Sequence, residues 1–225
     1  MISKKLIIAV LYFNILIAII GCEIPEIPNR NVLNESLVNK VKLYERNEYL
    51  FDNLEISYNE YKKNIRDIVV SFFPYKDNQV VFVYNDIKLK GEDLEKMTSK
   101  EWKVHKNKIT SIFAKNNNDI IDTAYEISDV YNSKDYNRKY VFVKIIKKYN
   151  YKNNLETHTN KRYTFSIEDG KWKVINISSK SAEWKEENDK LSSNSKKQYL
   201  EKTAYFSVNN KPVEYKEHFY PAQPQ

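Results

Sequence analysis

Cysteine, glycine and histidine are scarce: 225 residues hold 1 Cys, 3 Gly and 3 His. A single sulfur excludes an intrachain disulfide and a multi-cysteine zinc site. A Walker loop or a dinucleotide fingerprint needs several glycines within one turn. Gly21, Gly91 and Gly170 are far apart, so neither motif can form. His105, His158 and His218 are also scattered, and no His/Cys/Asp set has ligand spacing, so no metal and no cofactor are expected. What is plentiful is Tyr, at 18, and charge, at 30% of residues, with 37 basic against 30 acidic side chains. The abundance of Lys, Asn and Ile fits an AT-rich genome as well as any function. Arguments from lysine content alone therefore carry little weight.

One stretch organises the rest. Lys4 and Lys5 precede the apolar run Leu6-Ile7-Ile8-Ala9-Val10-Leu11-Tyr12-Phe13-Asn14-Ile15-Leu16-Ile17-Ala18-Ile19-Ile20, which ends at Gly21-Cys22. Charged start, apolar middle and small residue at the end are the layout of a secretory signal peptide. Leu6 to Gly21, with polar Asn14 inside, falls short of the ~20 residues that span a bilayer core. Ile19-Ile20-Gly21-Cys22 resembles the lipobox of bacterial lipoproteins. That resemblance implies cleavage between Gly21 and Cys22, acylation of the Cys22 thiol, and membrane lipid as a partner. It also implies a soluble domain held at the cell envelope, since two or three acyl chains anchor durably where one does not. Glu23, rather than aspartate, follows the cysteine, which points to the outer membrane or cell surface rather than the inner membrane. Loss of residues 1–21 would remove two lysines and no acid, leaving 35 basic against 30 acidic residues and a charge of about +5.

Residues 22–31 read as the lipidated cysteine and a tether, because Pro25 and Pro28 favour extended polyproline II. Residues 32–75 read as a helical segment. Tyr44, Phe51, Tyr58, Ile65 and Phe72 recur every seven residues, with Leu54, Tyr61 and Ile68 between them. The stripe is aromatic and is interrupted at Asn47, which favours packing against its own domain over a coiled-coil seam between subunits. Asp52-Asn53 is a candidate break, and Pro74 a candidate end.

Residues 76–179 read as an α+β domain. Gln79–Tyr84 and Ile87–Gly91 form a hairpin about Asn85-Asp86, and Thr98-Ser99-Lys100-Glu101 opens a helix with the stripe Trp102, His105, Ile109, Ile112 and Phe113. From Asp119 the period is two. Strands are expected at Thr123–Ser128, Tyr140–Ile146, Lys161–Ile167 and Trp172–Ile177, the last two joined by an Asp169-Gly170 turn. Residues 180–225 read as a polar extension, with a helix over Ala182–Lys202 and a short hairpin about Asn209-Asn210.

The expected architecture is α+β, with N-terminal amphipathic helices packed on a curved antiparallel meander sheet. Helices followed by a meander ending in Asp169-Gly170-Lys171-Trp172-Lys173-Val174 resemble the NTF2-like, cystatin-type cone domains, over roughly residues 92–179. The resemblance implies that Trp172 floors a cone whose inward candidates are Tyr125, Glu126 and Tyr140. Enzymes of that family carry Asp, His or Tyr inside the cone. No His–Asp pair sits at comparable strand positions here, so no catalytic residue is assigned. Lys147-Lys148-Tyr149-Asn150-Tyr151-Lys152 and Lys161-Arg162-Tyr163 interleave cations with rings. Lys147, Tyr149 and Tyr151 are thus candidate contacts to a protein or an acidic polysaccharide, against the plainer reading of a solvated hairpin. Nucleic acid is not an expected partner for an exported, lipid-tethered domain. The chain reads as a non-enzymatic lipoprotein displaying a binding or antigen-type module. The alternative is a periplasmic small-ligand-binding or enzymatic domain, and a third reading is assembly through the Tyr44–Phe72 stripe.

Overall fold

The computed structural model describes residues 30–70, 80–84, 87–116, 120–133, 137–149, 155–184, 199 and 205–221. Gly21, Cys22 and Tyr151 lie outside the described residues, as do the tether prolines, Phe72 and Pro74. By compactness the chain divides into residues 1–33, of which only 30–33 are described, and a body over residues 34–225.

Helix α1 (Arg30–Asp52) buries Leu37, Val41, Tyr44 and Phe51 along one stripe. It ends in a Schellman turn, where Leu54 N–H donates to the Phe51 carbonyl at 2.8 Å and Glu55 N–H to the Leu50 carbonyl at 2.7 Å. Leu54 holds φ +59°, a left-handed conformation usually left to glycine. Burial of its side chain, 2% exposed, offsets that strain. Ser57 then caps α2 (Tyr58–Ile65) in a reciprocal box with Glu60. The helical reading of 32–75 is therefore two helices broken after Asp52, as the sequence suggests. The second stops at Ile65 rather than at Pro74, because the β-branched Ile68-Val69-Val70 run turns extended. Val69 pairs in parallel with Val174, and the Val174 N–H reaches the Ile68 carbonyl at 2.8 Å.

Strands β1 (Val80–Tyr84) and β2 (Ile87–Lys90) form the expected hairpin as a separate two-stranded sheet. The one-and-a-half-turn helix α3 (Gly91–Lys96) follows, which the sequence pattern does not signal. Helix α4 (Ser99–Asn116) opens on Thr98, whose amide and hydroxyl both bond the Glu101 carboxylate. Trp102 of α4 stacks on Phe51, with ring centroids 6.1 Å apart, and Phe51 stacks on Tyr61 at 5.1 Å.

The main sheet contains β3 (Ile120–Ser128), β4 (Tyr131–Asn132), β5 (Lys139–Tyr149), β6 (Glu156–Glu168), β7 (Lys171–Trp184) and β10 (Tyr215–Phe219). Its order is β10-β3-β5-β6-β7, all antiparallel, with β4 continuing the β3 side of β5. The α+β class is thus established. The β6–β7 turn places Asp169 at φ +52° and Gly170 at φ +72°, the conformation expected of a two-residue hairpin loop.

Two expectations for the C-terminal part are corrected. The boundary drawn at Ser178–Ser181 falls inside β7, which runs to Trp184 and pairs with the first half of β6, Ala182 opposite His158. A polar Ser/Lys strand suffices there because β7 pairs with only one long neighbour, and Ala182 supplies the buried position. Among the described residues, 205–221 are not a separate extension. Strands β8 (Ser207–Val208) and β9 (Lys211–Pro212) form a hairpin about Asn209-Asn210, both at positive φ, and β10 then joins the main sheet beside β3. Of the helix expected over Ala182–Lys202, Ala182–Trp184 is strand, Tyr199 alone has helical backbone, and the rest lies outside the described residues.

The sheet is covered on both faces. Tyr44, Tyr61, Val141, Tyr163 and Phe165, none more than 1% exposed, fill the space between the helices and one face. The Tyr44–Ile68 stripe is spent inside this body, which removes the ground for the coiled-coil reading. On the other face Phe206 and Val213 pack onto Phe142, flanked by Tyr131, Tyr140, Val208 and Tyr215.

Candidate functional site

Successive side chains of a strand point to opposite faces. Tyr125 and Glu126 therefore cannot share one interior, and the three proposed inward residues separate. Tyr125 faces the helices and packs on Phe219, with centroids 5.4 Å apart. Burial, with the Glu45 charge second, raises its hydroxyl above the ordinary tyrosine value. Glu126 lies on the hairpin-covered face, paired with Lys144 at 2.5 Å. Tyr140 is on that same face, its hydroxyl 3.4 Å from Ser133 Oγ. Trp172 stands by the β6–β7 turn, half-buried, with the Lys139 ammonium 5.6 Å from its ring and its carbonyl accepting from Lys40. Lys147 and Tyr149 sit near the end of β5, both half-buried.

The helix-covered face holds a closed polar assembly. Lys161 Nζ lies 3.0 Å from Glu45 and 2.7 Å from Glu48, and the Tyr163 hydroxyl donates to the other Glu45 oxygen. Tyr44 donates to Glu48 at 2.9 Å, and Tyr61 to Tyr44 at 3.2 Å. Burial pushes the Glu45 carboxyl up, and the Lys161 charge pulls against it. For Lys161 burial acts downward, but the two glutamates overcome it and hold the ammonium above its ordinary value. Burial, and then the same carboxylates, also raise Tyr163. Every strong donor here meets an acceptor within the body, so the assembly holds α1 to the sheet.

The other face, covered by the β8–β9 segment, carries an open cleft. Arg162, the next residue along β6, has its guanidinium carbon 5.4 Å from the Tyr140 ring and 5.5 Å from the Phe206 ring. Among the described residues its side chain makes one long hydrogen bond, 3.5 Å, to Ser178 Oγ, and its Nε is buried with no partner. An unmade bond of that kind costs about 1–3 kcal/mol. Arg162 lines an open cleft of about 270 Å³ together with Tyr140, Phe142 and Val208. Asn132, Ser133, and Ser207 and Asn209 of the hairpin also line it. Nearby, Lys144 lies 5.3 Å from the Tyr215 ring, while the Tyr215 hydroxyl donates to Asn160 at 2.6 Å.

Of the residues singled out from sequence, only Tyr140 lines this cleft. The cation–aromatic run Lys161-Arg162-Tyr163 contributes Arg162 alone, since Lys161 and Tyr163 turn to the helices. Period-two alternation about Tyr163 would have assigned Arg162 to the opposite face, but nothing in the pattern shows that the Asn209 hairpin closes over it. Among the described residues no group of three His, Cys, Asp or Glu is placed to hold a metal ion, and no helix is long and apolar enough to cross a membrane. Comparison with protein-family models, curated proteins and solved structures finds no match.

Proposed function

We propose that this chain is a bacterial lipoprotein, acylated at Cys22, that displays the α+β body from the outer membrane or cell surface as a non-enzymatic binding module. The observation that carries the reading is the Lys4–Cys22 stretch, with the chain's single cysteine at the end of the apolar run. The two polar assemblies support a binding role over a catalytic one. Lys161 and Glu45 are closed on each other in the core, while the open cleft presents a cation, rings and neutral hydrogen-bonding side chains. We also infer an NTF2-like, cystatin-type body, on the order of helices followed by an antiparallel sheet and on the Asp169-Gly170-Lys171-Trp172 turn. In such a domain the ligand would enter between helices and sheet. Tyr44, Tyr61, Tyr163 and Phe165 occupy that space, which moves the ligand-facing role to the other side of the sheet.

Expression in a bacterial host with an alkyne fatty acid tests the anchor. Label on the chain, with intact mass showing loss of residues 1–21 and gain of acyl chains, is the expected result. Loss of the label in Cys22→Ser follows from the same chemistry. An unmodified thiol at position 22 in membrane-extracted protein would refute the reading.

A further inference from the structure

We propose that the cleft between Asn132-Ser133 and the β8–β9 hairpin binds a carboxylate-bearing sugar unit, with Arg162 as the anion partner. This rests on the binding-module reading above and gives it a ligand class. Three observations converge. The Tyr140 and Phe206 rings lie 5.4 and 5.5 Å from the Arg162 guanidinium carbon, and cation–π attraction to both restrains it. No carboxylate among the described residues pairs with Arg162, whereas its neighbours on the same face are committed: Glu126 to Lys144 at 2.5 Å, Glu156 to His158 at 2.5 Å. Its Nε is buried without a partner, and Arg162 lines the cleft, so an anion there meets the guanidinium. A planar fork held that way matches a carboxylate through two parallel hydrogen bonds.

The rest of the cleft selects for more than an anion. A volume of about 270 Å³ exceeds what a lone oxyanion fills, and Tyr140, Phe142 and Val208 in the lining would remain wet beside one. A sugar ring lays its C–H face on such apolar surface. Asn132, Ser133, Ser207 and Asn209, also in the lining, offer its hydroxyls hydrogen-bonding partners.

The test is calorimetric titration of the full-length chain in detergent with tetragalacturonate, its neutral methyl ester, and inorganic phosphate. The acid is expected to bind in the micromolar to millimolar range, with the ester at least tenfold weaker and phosphate unable to displace the sugar. Arg162→Gln should weaken binding at least tenfold, and Tyr140→Ala and Asn209→Ala, which leave the cation in place, by several-fold. Equal binding of acid and ester, phosphate competing as well as the sugar, or no change in all three variants would overturn the proposal. Absence of binding to an acylated wild-type chain overturns the ligand class and leaves the anchor standing. Recovery of shortened oligosaccharide would instead sink the non-enzymatic reading while upholding the site.

Discussion

Lys161 and Arg162 are adjacent cations on one strand, and the two faces of the sheet treat them in opposite ways. Lys161 meets two glutamates and, through Glu45, a buried tyrosine, so its charge is neutralised within the body. Arg162 meets two rings and one distant hydroxyl, and its charge is left to whatever enters the cleft. The difference lies in what covers each face. A 23-residue helix brings acids to a fixed register, whereas a short hairpin brings Asn, Ser and Phe. One face closes its charges on each other, and the other leaves a cleft beside a cation with no carboxylate partner among the described residues.

The comparison breaks first at Lys161. Replacing it with alanine strands Glu45 and Glu48 against Tyr163, and loss of one partner of a buried pair costs about 3–5 kcal/mol. Urea unfolding of Lys161→Ala should show that loss, and a change below about 1 kcal/mol would mean that water already screens the assembly.

Alkaline pH probes the same face without mutation. Lys161 and Tyr163 both hold their protons more tightly when folded than their ordinary values of 10.5 and 10.0. Their stabilising contribution is therefore complete below about pH 10 and is lost as pH rises above it. Urea midpoints measured from pH 8 to 11.5 should be level at first and then fall steeply, and Tyr163→Phe should lessen the slope by about one proton.

Smaller effects sharpen the contrast. Gly170→Ala places a Cβ where nothing lies within 4 Å, so its cost is the positive φ alone, about 1–2 kcal/mol by thermal melting. On the open face Arg162→Met should change stability by less than about 1 kcal/mol, in either direction, because the lost charge had no carboxylate partner and the unmade Nε bond disappears with it. A loss as large as that of Lys161→Ala would erase the distinction between the two faces.

Much of the fold was legible because local rules decided it. The Thr98 box, the Asp169-Gly170 and Asn209-Asn210 turns, and the break after Asp52 depend on neighbours a few residues away. The limits of β7 were not legible. Ser178–Trp184 has no strong strand propensity, and it is extended because a long β6 offers it a partner. Grouping Tyr125 with Glu126 as inward residues set aside the alternation of a strand. Most of the candidate cleft was hidden, since Asn132, Arg162 and Asn209 come from three distant segments.

By itself the sequence determined the apolar Lys4–Cys22 pattern, the aromatic stripe of the helices and the turns of the hairpins, because each is written in spacing and backbone preference. Only the tertiary structure decided which of two neighbouring cations would be sealed and which left open. That choice depends on the elements that pack over each face, and pairing across 113 residues of chain, as between Glu48 and Lys161, leaves no local trace.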